Sequence, residues 1–209
     1  MSQFAKPTGF FGKILAKGMA RGHKHFYKNA ERVIDPKKDD KYLEIGFGSG
    51  IFIKRYISHV SKISGIDHSD DMVQLASEMN KNLVDVGKAE FKQGNASVLP
   101  WADNEFTVVT AIETFFFLHE VEKVLNEIFR VLQPGGRVVI EMAYNKDDGV
   151  NHQRVIKKIS LRLYSGEEMK KLLTNAGFSN IVISYYRALW IPLKGYMVPK
   201  GMVVKAVKK

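Results

Sequence analysis

The chain has 209 residues, 45% of them hydrophobic and 26% charged, which suits one globular domain with a sizeable core and excludes a disordered or fibrous chain. It has no cysteine, so disulfides, thiolate zinc sites, Cys-ligated iron–sulfur clusters and a cysteine nucleophile are all excluded. A net charge of +10 invites a polyanionic partner, and where that charge sits decides how far to take the invitation.

Taken in chain order, residues 1–32 are basic, and around Phe11, Ile14, Leu15, Gly18 and Met19 they wind into an amphipathic helix with Lys13, Lys17, Arg21 and Lys24 opposite. Short β-branched runs then alternate with helix-like stretches: a strand at Lys41–Ile45, a helix at Ile51–Ile57, a strand at Lys62–Asp67, and a helix at Ser69–Asn82. A weaker strand at Ala89–Gly94 follows, then a strand at Phe106–Ile112, a helix at Val121–Leu132 and a strand at Arg137–Ala143. Gln133-Pro134-Gly135-Gly136 reads as the turn into that last strand. Ser165-Gly166-Glu167-Glu168 is a capping box that opens a helix closing at Gly177. After it, Asn180–Tyr186 and Met202–Lys208 read as two strands with no helix between them, so they should pair antiparallel. The alternation predicts an α/β fold: a doubly wound, seven-stranded, mostly parallel sheet with an antiparallel last strand and helices on both faces. No repeat or linker divides it, and a single domain over 1–209 is expected.

The sharpest local signal is Glu44-Ile45-Gly46-Phe47-Gly48-Ser49-Gly50, a strand running into a glycine-rich turn and then a helix. Its spacing departs from the dinucleotide pattern, because the third glycine comes one position early and Ile51 takes its slot. No Gly-Lys-Ser/Thr ending is present, which excludes a phosphate loop. The second strand ends in Asp67, which can accept both hydroxyls of a ribose. The third ends before Asn95-Ala96, where an amide can read an adenine edge.

With these residues in place, the chain resembles the class I S-adenosylmethionine-dependent methyltransferases, most closely the small stand-alone enzymes of the ubiquinone/menaquinone-biosynthesis group. The resemblance is detailed over about residues 40–145, the expected cofactor-binding core, and includes Val131-Leu132-Gln133-Pro134-Gly135-Gly136. It implies Glu44, Gly46, Phe47, Gly48 and Gly50 around the methionine part of S-adenosylmethionine and Asp67 on the ribose. It also implies Asn95 and Ala96 on the adenine with His68 against the ring, and Ile112 at the end of the fourth strand. S-adenosylhomocysteine is the implied product, and no metal is expected. Thr107 departs from the family, which usually has an acid there.

Methyl transfer needs chiefly an aligned acceptor and exclusion of water, with a general base where the acceptor carries a proton. The segment Glu113-Thr114-Phe115-Phe116-Phe117-Leu118-His119 should line the delivery point, with Glu113 and His119 as the candidate bases and the three rings either facing a cation or packing the core.

The charge divides along the same lines. Residues 33–145 carry twelve basic against seventeen acidic residues, whereas 1–32 carry seven against one, 146–186 seven against four, and 187–209 six against none. The basic segments 1–32, 144–164 and 187–200 are expected to form a helical lid and the acceptor side. There Trp190, Ile191, Pro192, Tyr196 and Met197 read as an apolar wall. A small-molecule acceptor, favoured as anionic, is the leading expectation. RNA phosphates met by Arg154, Lys157, Lys158 and Arg162, a membrane-lipid or quinone acceptor at an anionic membrane surface, and a non-catalytic cofactor-binding role are the alternatives. The absence of a run of about 18 apolar residues and of a secretory pattern supports a cytoplasmic location.

Overall fold

The computed structural model describes residues 24–143, 162–186 and 201–209. Its centre is one seven-stranded sheet made of β1 (Lys41–Ile45), β2 (Lys62–Asp67), β3 (Ala89–Gln93), β4 (Phe106–Ile112), β5 (Leu132–Ala143), β6 (Phe178–Tyr186) and β7 (Gly201–Lys208). The order across it is β3-β2-β1-β4-β5-β7-β6. β1 to β5 pair in parallel, and β7 runs antiparallel to both β5 and β6. The predicted fold class and the antiparallel final pair are therefore present.

Helices cover both faces, as a buried parallel sheet requires. On one face α1 (Lys24–Ile34) and α2 (Asp70–Met79) pack Ala30, Ile34, Met72, Leu75 and Ala76 against Tyr42, Val108 and Val139. On the other, α4 (Val121–Val131) and α5 (Gly166–Asn175) cover Leu43, Val109, Val138 and Ile140. In α4, Val121, Val124, Leu125, Ile128 and Val131 are buried at helical spacing. The capping box at Ser165 forms as read: its side chain accepts from the Glu168 N–H at 3.2 Å, and Glu168 Oε2 accepts from the Ser165 N–H at 2.7 Å.

Three local readings change. The helix expected over Ser69–Asn82 divides into α2 and the short α3 (Lys81–Asp85) at Asn80. The Ile51–Ile57 stretch widens into a π-helical segment over Ile53–Ile57. The Pro-Gly-Gly turn is absorbed into the start of β5, where Leu132 already pairs with Phe106 and the register shifts before Arg137 meets Val108. A proline and a positive-φ glycine, Gly135 at +79°, fit such a bulge.

Below the sheet, the edge remote from the glycine turn is locked by one polar knot. Arg137 donates to Asp40 Oδ2 at 2.6 Å and to the Ile34 carbonyl at 2.8 Å, while the Thr107 hydroxyl donates to Asp40 Oδ1 at 2.7 Å. Thr107, the departure noted in the sequence, thus has a structural partner of its own. Among the described residues, no helix is long and apolar enough to cross a membrane.

Candidate active site

β1 delivers the chain into the turn Gly46–Gly50 at the carboxyl edge of the sheet, where ligands of doubly wound folds bind. All three glycines hold positive φ, +69°, +53° and +71°, but their surroundings differ. A side chain on Gly46 would collide with Thr114, whose hydroxyl donates to the Gly46 carbonyl at 3.0 Å. One on Gly50 would come within 2.7 Å of Asn80 Nδ2. At Gly48 nothing among the described residues lies within 4 Å of such a side chain. The outer glycines are fixed by packing, and the middle one faces open space that a ligand can fill.

Asp67, at the tip of β2, stands across from that space and is only 7% exposed. Its Oδ2 accepts from the Gly48 N–H and its Oδ1 from the Ser69 N–H, each at 3.0 Å. Two backbone donors orient the carboxylate while each oxygen keeps a further lone pair for an incoming hydroxyl. His68 is half-exposed, with Nδ1 3.4 Å from Asp67 Oδ1. Asn95 is exposed at the tip of β3, its Oδ1 accepting from the Ser97 N–H at 3.0 Å, and Ala96 is buried beside it. Phe47 turns inward and packs on Phe91 at 5.0 Å between ring centres, so what it can offer a ligand is its backbone. Ile112 is buried in the core on the α1 face.

The same edge carries three acidic residues on the α1 side. Glu44 is buried, accepts from the Tyr42 hydroxyl at 3.3 Å, and has its carboxyl pushed up to about 8, chiefly by burial and further by the Asp67 charge. The Tyr42 hydroxyl also shares a 2.6 Å hydrogen bond with Thr110 Oγ1. Glu113 follows β4 with φ +54°, a left-handed conformation unusual outside glycine, and its N–H donates to the Glu141 carbonyl at 2.9 Å. Burial raises the Glu113 carboxyl to about 7. Glu141 on β5 is fully buried, and burial together with Glu113 holds it well above the usual carboxylate range. The Tyr27 phenol on α1 is raised by burial and by the charges of Glu44, Glu113 and Glu141.

His119 is exposed near the start of α4, so the two candidate bases of the sequence part company here. Of the aromatic run, Phe115 and Phe116 join the core, with Phe115 edge-on to Tyr164 at 5.5 Å. Core packing therefore accounts for those two rings. Arg162 lies over the Tyr164 ring at 4.7 Å. Arg154, Lys157 and Lys158, the apolar wall from Trp190 to Met197, and residues 1–23 of the expected lid lie outside the described residues. The remainder of that N-terminal segment is α1, which packs on the sheet.

Asn80 and Glu141 were missed by the sequence reading, as was Tyr27 on α1. Asn80 is fully buried and donates to the Gly50 carbonyl at 3.2 Å and the Ala76 carbonyl at 2.9 Å, tying the glycine turn to α2. Glu141 sits within the apolar run Val138-Val139-Ile140-Glu141-Met142, and only the pairing with β4 brings it beside Glu113.

A family model described as a methyltransferase domain matches residues 43–140, and with this sheet order and this turn the chain is similar to the class I S-adenosylmethionine-dependent methyltransferases. Among curated proteins it is similar to the ubiquinone/menaquinone biosynthesis C-methyltransferase of Cronobacter sakazakii, 26% identical over 200 residues that cover 83% of this chain and 78% of that protein. Two solved structures share the fold. One is a chain from the complex between the Haloferax volcanii Trm112 methyltransferase activator and its methyltransferase partner, with TM-score 0.77, 21% identity and 92% of each chain covered. The other is a methyltransferase of Thermotoga maritima described as a possible histamine N-methyltransferase, with TM-score 0.73, 21% identity and 96% of each chain covered.

Proposed function

We propose that the chain moves the methyl group of S-adenosylmethionine to a small-molecule acceptor, with the cofactor lying along the tips of β1, β2 and β3. The observation that carries this reading is the open space at Gly48 with the anchored Asp67 carboxylate beside it. The residues present fit the group. Gly48 lets the ligand approach the backbone, Asp67 has lone pairs left for two ribose hydroxyls, and the Asn95 amide and Ala96 backbone stand at the next strand tip for adenine. Glu44, uncharged while buried alone, gains a reason to ionise when a cationic ligand arrives.

S-adenosylmethionine supplies an electrophilic methyl on a sulfonium, so the work left to the chain is alignment and exclusion of water. Positioning of this kind is worth roughly 7–11 kcal/mol of a barrier. Glu113 follows the end of β4, the strand next to β1, and a carboxyl held by burial above the usual carboxylate range is suited to take a proton near neutral pH. It is the preferred base over His119, which stands exposed further along the turn. We take 1–209 as one methyltransferase domain, with the basic segments 1–32, 144–164 and 187–200 on the acceptor side, where they favour an acceptor that bears an anionic group.

The test is a labelled-methyl transfer screen of wild type and Gly48→Val against metabolite and RNA extracts. The expected result is label in small molecules with the wild type and none with the variant. Label in RNA, or transfer unaffected by filling the Gly48 space, contradicts the reading.

A further inference from the structure

β4 and β5 run side by side, and Ile112 is directly opposite Glu141, so the next residue, Glu113, arrives beside it. Neither carboxylate has a basic partner among the described residues. Glu141 is fully buried, with Oε1 accepting from the Tyr186 hydroxyl, and the Glu113 and Glu141 side chains hydrogen-bond to each other through a shared proton; apart from that, Glu141 Oε2 and Glu113 Oε1 have no partner among the described residues. Aromatic rings stand around the pair. Tyr186 packs edge-on against Phe26 at 5.8 Å, and Tyr27, within the field of both carboxylates, packs on Phe52 at 5.3 Å.

Ionising both members of a buried acid pair that has no cation beside it costs several kcal/mol per ion, so the pair keeps a proton between them. Such a pair at the delivery edge suits a ligand that brings N–H donors and positive charge to replace the shared proton. Rings beside them add cation–π attraction. Among the described residues no three His, Asp or Glu groups converge to hold a metal ion, so an organic cation fits this pair better than a metal.

Building on the methyltransferase reading above, we propose that Glu113 and Glu141, with Tyr27 and Tyr186 beside them, bind a basic nitrogen of the acceptor, and that the methyl is transferred to that nitrogen. Glu141 holds the nitrogen through its free oxygen. Glu113 takes one proton from the ammonium, which frees the lone pair. The nitrogen–carbon bond then forms as the sulfur–carbon bond breaks, its electron pair stays on sulfur, and the positive charge ends on the methylated nitrogen. The basic flanking segments remain available to an anionic group elsewhere on the same acceptor.

The experiment uses the full chain saturated with S-adenosylmethionine and two sets of probes: primary and secondary amines such as phenethylamine, histamine and spermidine, and phenols and quinols of similar size. Mass analysis is expected to find N-methylated product from at least one amine. Glu141→Gln is expected to lower its kcat/KM at least about tenfold, the loss of one hydrogen bond to a charged group, while S-adenosylhomocysteine affinity by calorimetry changes less than about twofold. Glu141→Gln is also expected to raise Tm at pH 8 in the absence of amine, since it removes one of two buried acids whose ionisation opposes folding.

Methylation of the phenols or quinols alone, no amine product from a protein that binds the cofactor, or a parallel loss of cofactor affinity each overturns the proposal. So does a fall in Tm, which would mean that a Lys or Arg of the chain already pairs with Glu141. A wild type that binds no S-adenosylhomocysteine defeats the methyltransferase reading instead.

Discussion

Glu44→Gln isolates the energetic consequence of burying an acid behind the glycine turn. Glu44 is 2% exposed, and its carboxyl moves from an ordinary 4.5 to about 8 on folding, mainly through loss of solvent. Between those values the folded chain holds one proton more than the unfolded chain. Stability from this group is therefore fully present below pH 4.5 and is lost as the pH rises through 8. One proton corresponds to a slope of about 1.4 kcal/mol per pH unit. By pH 7 this amounts to on the order of 3 kcal/mol against the ionisable side chain.

Glutamine keeps the shape and cannot ionise, so the substitution removes the slope. Urea unfolding followed by circular dichroism at pH 5, 6, 7 and 8, without cofactor, reads it directly. The wild-type and variant curves should approach each other at pH 5 and separate by about 1.4 kcal/mol per unit above it, the variant being the more stable at pH 8. Glu113 and Glu141 leave the variant a residual slope of the same sign. Parallel curves over the whole range would refute the assignment of Glu44 as a buried, neutral acid.

Other expected outcomes test the remaining joints. Gly50→Ala should destabilise more than Gly48→Ala in thermal melts, because both place a side chain at positive φ, about 1 kcal/mol, but only the first also meets Asn80 and Ala76. Equal melting temperatures would count against the packing described for the turn. Arg137→Ala leaves the buried Asp40 carboxylate without its cation and should cost about 3–5 kcal/mol in urea unfolding, whereas Arg137→Ala with Asp40→Asn should recover part of that loss. Asn80→Ala frees the Gly50 carbonyl and should weaken S-adenosylhomocysteine binding several-fold, read by calorimetry, while the fold is retained by circular dichroism.

Much of this arrangement is legible in the sequence, because the residues responsible act locally. The runs at β1, β2 and β4 are continuous and apolar, and glycines mark the turn. Asp67 and Asn95 are found by counting from one strand tip to the next. The rest depends on registry between distant segments. Glu141 reads as one polar residue in an apolar strand until the β4–β5 pairing places it against Glu113, and Tyr27 lies within a segment whose basic charge draws the eye instead. Asn80 looks like a helix interior position, yet its amide bridges α2 to Gly50. The Pro134-Gly135-Gly136 turn is correct in its chemistry, and only the pairing of Leu132 with Phe106 reveals that it is a bulge within a longer strand.

The central claim is that the carboxyl edge around Gly48 and Asp67 holds S-adenosylmethionine, and titration calorimetry of S-adenosylhomocysteine into wild type and Asp67→Ala tests it most directly. Removing a carboxylate placed to accept two hydroxyls should forfeit about 3 kcal/mol or more, roughly a hundredfold in Kd, with the far-ultraviolet spectrum unchanged. An Asp67→Ala protein that binds as tightly as the wild type would contradict the account.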